Sequence, residues 1–256
     1  MIITLTTDFG LADGYAAAMK GVILSRAPRA TVVDLSHEIA PFDVHHAAFV
    51  LRQAAPYFPP GVVHVCVVDP GVGGPRRGLA IAAQRQLFVG PDNGVFTPFL
   101  NEAARVFELT NPDLWLPQAG ATFHGRDLFA PTAVHLAQGL PPADCGPPVT
   151  DAVRLPAWEV RREGDAFVAA VVHVDRFGNA ITGLTSERLA ELGADSLRAQ
   201  LPTGEVVPLR RAYADVLPGE PLTLVGSSGL LEIAVREGSA AQRFGLTRGA
   251  PIRFAR

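Results

Sequence analysis

The chain has 256 residues, 48% hydrophobic and 18% charged, with a formal net charge of -3. That length supports one large domain or two modest ones, and scattered arginines on a slightly acidic chain give no basic field for nucleic acid. No run reaches the roughly 18 apolar residues of a membrane span, and the opening MIITLTTDFG lacks a basic region followed by an apolar one, so a soluble cytoplasmic protein with no nucleic-acid or membrane partner is expected.

Strand-like and helix-like segments alternate from the start: Ile2 to Thr7, a helix over Gly14 to Ser25, Thr31 to Leu35, a helix over Val44 to Ala55, then Val62 to Val68. Leu79 to Ala83, Leu87 to Gly90 and Arg105 to Leu109 continue as strands, and Leu128 to Gln138 as a helix whose start Asp127 marks. This pattern predicts an α/β N-terminal domain with a mostly parallel sheet over residues 1–150. Pro141, Pro142, Pro147, Pro148 and Pro156 break regular structure, and residues 151–164 read as a linker. Short strands at Ala166 to Val174, Leu197 to Leu201, Glu205 to Leu209, Pro221 to Val225, Leu230 to Val235 and Pro251 to Phe254 follow, so residues 165–256 read as a small antiparallel β-barrel domain. With Cys66 inside a core strand and only Cys145 besides, no disulfide framework is indicated.

The most informative stretch is VVHVCVVDPGVGGPRRGLAIA, Val62 to Ala82. A continuous apolar strand is covered on both faces, and ligands of parallel sheets bind beyond the carboxyl ends of such strands. Asp69, Arg76 and Arg77 are therefore placed for chemistry. Acid-bearing turns also end strands at Asp8, Asp92 and Asp175, and their recurrence favours a shared cleft. Each alone is equally an Asx turn, Asp92 within PDNG most of all. Gly71, Gly73 and Gly74 permit a tight turn, but without GxxxxGK[ST] or a following helix they do not form a triphosphate loop. His37, His45, His46 and His64 lack zinc-site spacing, and no metal is implied. His124, in ATFHGRDLFAP, is either a packed surface residue or part of a site.

TTDFG, VVDPGVGG with Arg76 seven residues past Asp69, GPDNG, TFHGRD, DRFGN and SSGLLEIAV occur in one order from Ile2 to about Gly249. As an ordered set they resemble the S-adenosyl-L-methionine hydroxide adenosyltransferase family, formerly a domain of unknown function and related to the fluorinase and chlorinase. The resemblance implies an α/β domain followed by a β-barrel, a homotrimer with substrate between neighbouring subunits, and attack of water or hydroxide on C5′ of S-adenosylmethionine to give adenosine and L-methionine. It implies a catalytic set of Asp69, Arg76 and His124, with either Asp69 or His124 as the proton acceptor. It places ribose on Asp8, the amino-acid end on Asp175 and Asn179, and adenine against Phe177. Ser227, Arg236 and Glu237 match the segment that holds the methionine carboxylate and the adenine edge, although Ser228 follows Ser227 where the halogenating relatives have Arg. No cofactor is implied beyond the substrate.

Two other functions fit the same cleft. A halogenase is disfavoured because the fluorinase has Tyr where this chain has Asp69, and a fixed carboxylate repels an incoming halide. A binding protein that senses S-adenosylmethionine or adenosine without turnover would have no need of a carboxylate, arginine and histidine beside C5′.

Overall fold

The computed structural model describes residues 1–191 and 197–255, so 192–196 and 256 of the expected C-terminal domain lie outside the described residues. The chain forms two compact units, Met1–Arg154 and Leu155–Arg256.

The first unit is built on β1 (Ile2–Thr7), α1 (Tyr15–Arg26), β2 (Thr31–Ser36), α2 (Val44–Ala54), β3 (Val63–Val67), β4 (Gly78–Ala83), β5 (Gln86–Pro91), β6 (Arg105–Glu108) and α3 (Ala130–Ala137). Its sheet runs β2-β1-β3-β5-β4-β6, parallel across β2, β1, β3 and β5 and antiparallel where β4 meets β5 and β6. The mostly parallel α/β domain expected from the alternating pattern is present. Alternation along the strands divides its two faces. Ile3, Leu5, Val63, Val65 and Val67 join one buried cluster with Met19 and Ile23 of α1 and Phe129, Ala133 and Val134 at α3. On the opposite phase, Thr4 Oγ1 bonds His64 Nδ1 at 2.8 Å, and the His64 ring stacks on Phe88 with centroids 5.1 Å apart. Asp43 caps α2 by accepting from the His46 N–H at 3.0 Å.

The order of this sheet positions the site. From β1 the chain crosses to β2 on one side and returns to β3 on the other, so a crevice opens beyond the carboxyl ends of β1 and β3. Thr7 and Val67 are register partners there. Asp8 directly follows Thr7, and Asp69 lies two residues past Val67.

The second unit contains β7 (Val160–Glu163), β8 (Ala166–Val174), β9 (Ala180–Thr185), α4 (Ser186–Ala190), β10 (Arg198–Gln200), β11 (Val206–Pro208), β12 (Pro221–Val225), β13 (Leu230–Val235), α5 (Ala240–Phe244) and β14 (Pro251–Ala255). Every ladder in the order β11-β10-β14-β8-β9-β13-β12 is antiparallel, and β7 pairs with β8. A bridge between Leu209 and Thr223 brings the β11 end back toward β12, giving the sheet its nearly closed barrel form. The residues read as a linker carry structure of their own, a turn at Pro156–Trp158 and the strand β7. Among the described residues, no helix is long and apolar enough to cross a membrane.

Candidate active site

A cleft of about 460 Å³ opens in the first unit, and Asp8, Asp69 and His124 reach it from three separate loops. Its apolar walls include Phe9, Tyr15, Phe42, Val72 and Phe123.

Arg76 ties two of these groups together. Its Nε lies 3.0 Å from both Asp69 carboxylate oxygens, and its Nη2 also donates to Oδ2. The same Nη2 approaches His124 Nδ1 at 2.7 Å. Arginine has no acceptor, so Nδ1 must accept, and the neutral ring carries its proton on Nε2. Burial, with the Arg76 charge beside it, pushes the His124 imidazole below its ordinary value. The Arg76 guanidinium also lies 5.4 Å from the centre of the Phe129 ring, while Asp69 lines the cleft.

Local sequence explains this placement. The turn after β3 closes through Val72 N–H to Asp69 O and Gly74 N–H to Gly71 O. A Cβ on Gly71 would sit 3.1 Å from Arg76 Cγ, so glycine there lets the arginine fold back over its own turn. Gly73 has φ 76°, and a Cβ would meet the Ala121 carbonyl oxygen at 2.6 Å. His124 stands at the entrance of a π-helical turn, Gly125–Phe129, that runs into α3. Gly125 allows that turn to pack closely on Val67 and Met19.

Three sequence expectations change. Asp127 does not open the helix; it is buried inside the π turn, where its carboxylate accepts from Gly120 N–H at 2.9 Å and pairs with Arg126. Asp92 does not share the cleft. Its carboxylate pairs with Arg77 at 2.6 Å and accepts from Val153 N–H at 2.8 Å. Arg77 also binds Asp151 at 2.7 Å, so it holds the segment that follows α3 and takes no part in the grouping of Asp69 with His124.

Asp8 accepts from the Phe42 N–H at 2.8 Å, and Phe42 takes a left-handed backbone, φ 66°. Phe42 and Tyr15 carried no sequence signal as wall residues, whereas Phe9 and Phe123 sit inside TTDFG and TFHGRD.

The remaining candidates lie in the second unit. Asp175 and Asn179 are brought together: Asp175 Oδ1 accepts from the N–H groups of Phe177 and Asn179 at 2.9 Å each, and Oδ2 accepts from Asn179 Nδ2 at 3.0 Å. Phe177, at the tip of this turn, is 78% exposed. Ser227 lies in the tight hairpin between β12 and β13, closed by Gly226 N–H to Leu230 O. Arg236 and Glu237 form a 3.4 Å ion pair just past β13, and Arg236 Nη1 also donates to Val216 O.

Residues 3–146 match the SAM hydroxide adenosyltransferase N-terminal domain, and residues 169–253 match its C-terminal domain. The chain belongs to this family. An (R)-S-adenosyl-L-methionine hydrolase from Thermus thermophilus is 45% identical, covering 97% of this chain and 97% of its own. A crystal structure of an uncharacterized conserved protein from Thermotoga maritima aligns with TM-score 0.85 and 35% identity over 100% of both chains. A fluorinase from Actinopolyspora mzabensis stands further off, at 27% identity over 100% of this chain and 97% of its own.

Proposed function

We propose that this protein hydrolyses S-adenosyl-L-methionine to adenosine and L-methionine by in-line attack of water at C5′. The observation that carries the reading is the joint hold of Arg76 on Asp69 and His124, two residues that line a cleft of about 460 Å³. The leaving group is a sulfonium, so its departure needs no acid. What the site must supply is an oriented water that loses a proton as the C5′–O bond forms and the C5′–S pair returns to sulfur.

Asp69 is the proton acceptor in this scheme and His124 the orienting donor. Support comes from the hydrogen bonding: the acceptor nitrogen of His124 is already engaged by Arg76, which leaves Nε2–H as the ring's donor on a residue that lines the cleft. Asp69 takes one water hydrogen, His124 Nε2–H donates to one lone pair, and the other lone pair is free to attack. Arg76 holds both groups in place and keeps the Asp69 carboxylate ionised, ready to accept the proton.

Asp8 binds the ribose hydroxyls, Asp175 and Asn179 the amino-acid end, and Phe177 stacks on adenine. Ser227, Arg236 and Glu237 hold the carboxylate and the adenine edge. By the family resemblance, the working form is a homotrimer whose sites are completed across subunits, and no cofactor beyond the substrate takes part. A fully active monomer in sedimentation contradicts the first of these, and activity lost on exhaustive dialysis and chelation contradicts the second. A cytoplasmic location accords with two buried thiols, Cys66 and Cys145, that remain reduced; cell fractionation checks it.

Halide transfer is the second reading, since fluorinases are among the relatives. Against it, Asp69 lines the cleft, and a carboxylate there repels an incoming halide. The test is incubation with the (R) and (S) sulfonium epimers, with and without chloride or fluoride, followed by separation of the nucleosides. Adenosine independent of halide, with preference for the (R) epimer named in the relative, supports hydrolysis. A halogenated nucleoside or an intact ligand contradicts it.

A further inference from the structure

One buried acid in the second unit has no part in the scheme above. Glu232 lies on β13 between β9 and β12 and is 6% exposed. A Cβ at Gly226 would lie 2.4 Å from its Oε2, so the neighbouring hairpin is glycine where the carboxyl needs room. Burying such a group is costly unless it is hydrogen-bonded, and Glu232 Oε1 accepts from the Tyr213 hydroxyl. Tyr213 is fixed in turn by its own turn, where Asp215 Oδ2 accepts from the N–H groups of Arg211 and Ala212 at 3.0 and 3.2 Å.

The Tyr213 oxygen accepts one Asn179 amide hydrogen at 3.2 Å, and Asp175 Oδ2 accepts from the same nitrogen at 3.0 Å. Both amide hydrogens of Asn179 are thereby committed, so only its carbonyl oxygen is offered to a ligand. Asp175 Oδ1 is saturated by two backbone N–H groups, which leaves Oδ2 as its remaining acceptor. The chain of bonds ends in two acceptors, the arrangement an ammonium group requires.

We infer that Tyr213 and Glu232 are positioning residues that set the orientation of Asn179, and with it Asp175, for substrate; this rests on the reading of Asp175 and Asn179 as substrate-binding residues. Without the Tyr213 acceptor one amide hydrogen loses its partner, and only the bond to Asp175 Oδ2 still holds the amide with its oxygen toward the ligand. Burial, reinforced by the Asp175 charge, raises the Glu232 carboxyl above its ordinary range, against the bond from Tyr213.

The test is a double-mutant cycle on Tyr213→Phe and Asn179→Ala, read by calorimetric Kd for S-adenosylmethionine and by steady-state kinetics, with thermal melting of each variant. Tyr213→Phe is expected to weaken binding by about tenfold, with kcat within about twofold of the parent. In the Asn179→Ala background the same change is expected to have no effect, which a general loss of stability would not produce. Glu232→Gln keeps an acceptor for the Tyr213 hydroxyl and is expected to weaken binding less than Tyr213→Phe. Equal effects of Tyr213→Phe in both backgrounds, or none in either, overturn the inference while leaving hydrolysis intact. A parent protein that neither binds nor cleaves S-adenosylmethionine overturns the functional reading and this inference with it.

Discussion

Arg76 Nη2 lies 2.7 Å from His124 Nδ1, and the same guanidinium clasps both oxygens of Asp69. One cation thus sets the tautomer of the histidine and the direction of the carboxylate. The three residues come from one turn after β3 and one turn before α3, so their alignment depends on how those loops pack rather than on a single element.

The first consequence concerns pH. Protonation of Nδ1 breaks its bond from Arg76, and burial with the Arg76 charge holds the imidazole below its ordinary 6.5. The acid limb of kcat/KM is therefore expected to have its midpoint below pH 6.5, with full activity above. In the unfolded chain His124 binds its proton more readily, so its contribution to stability is present above pH 6.5 and is lost as pH falls through the folded value. An acid limb centred above 6.5 contradicts the arrangement.

Asp69→Asn keeps the shape and removes the proton acceptor. Adenosine formation is expected to fall by about 100-fold or more while S-adenosylmethionine binding changes little. Stopped-time assays with calorimetry separate the two, and unchanged turnover removes Asp69 from the mechanism.

Adjacent arginines are expected to differ in catalysis. Arg76→Met should lose most of kcat and, since it leaves the buried Asp69 carboxylate without its guanidinium, also lower the melting temperature. Arg77→Met leaves the buried Asp92 carboxylate with only the Val153 N–H, at a cost of about 3 kcal/mol in stability, and should retain kcat in the folded fraction. Denaturant unfolding and kinetics on both variants check the pair.

His64 governs a separate acid transition. It is fully buried, and burial pushes it down to about 4 from 6.5. The unfolded state binds the proton first, so stability is expected to decline by about 3 kcal/mol as pH falls from 6.5 to 4. His64→Phe should flatten that part of the pH–stability curve; an unchanged slope contradicts the assignment.

Much of the fold is legible in the chain. β1, β8, β12 and β13 match their apolar runs, because a glycine or aspartate lies at or next to at least one end of each. β9 gives no such signal: AITGLT is short and carries Gly183, which lies against the backbone of Ala157 and Trp158. Its strand character comes from pairing with both β8 and β13. The Asp69, Arg76 and His124 set is legible because Asp69 and Arg76 share a turn and His124 sits in an ordered motif. Arg77, one residue away, has the same local signal, and only its long-range partner Asp151 distinguishes its role. Tyr213 is invisible beforehand for the same reason, since nothing near it in the chain points to Glu232.

Attack of water on C5′ is tested most sharply by turnover in H₂¹⁸O with mass analysis of both products. One ¹⁸O is expected in the 5′-hydroxyl of adenosine and none in methionine. Label in the amino-acid product, or adenosine without label, contradicts it.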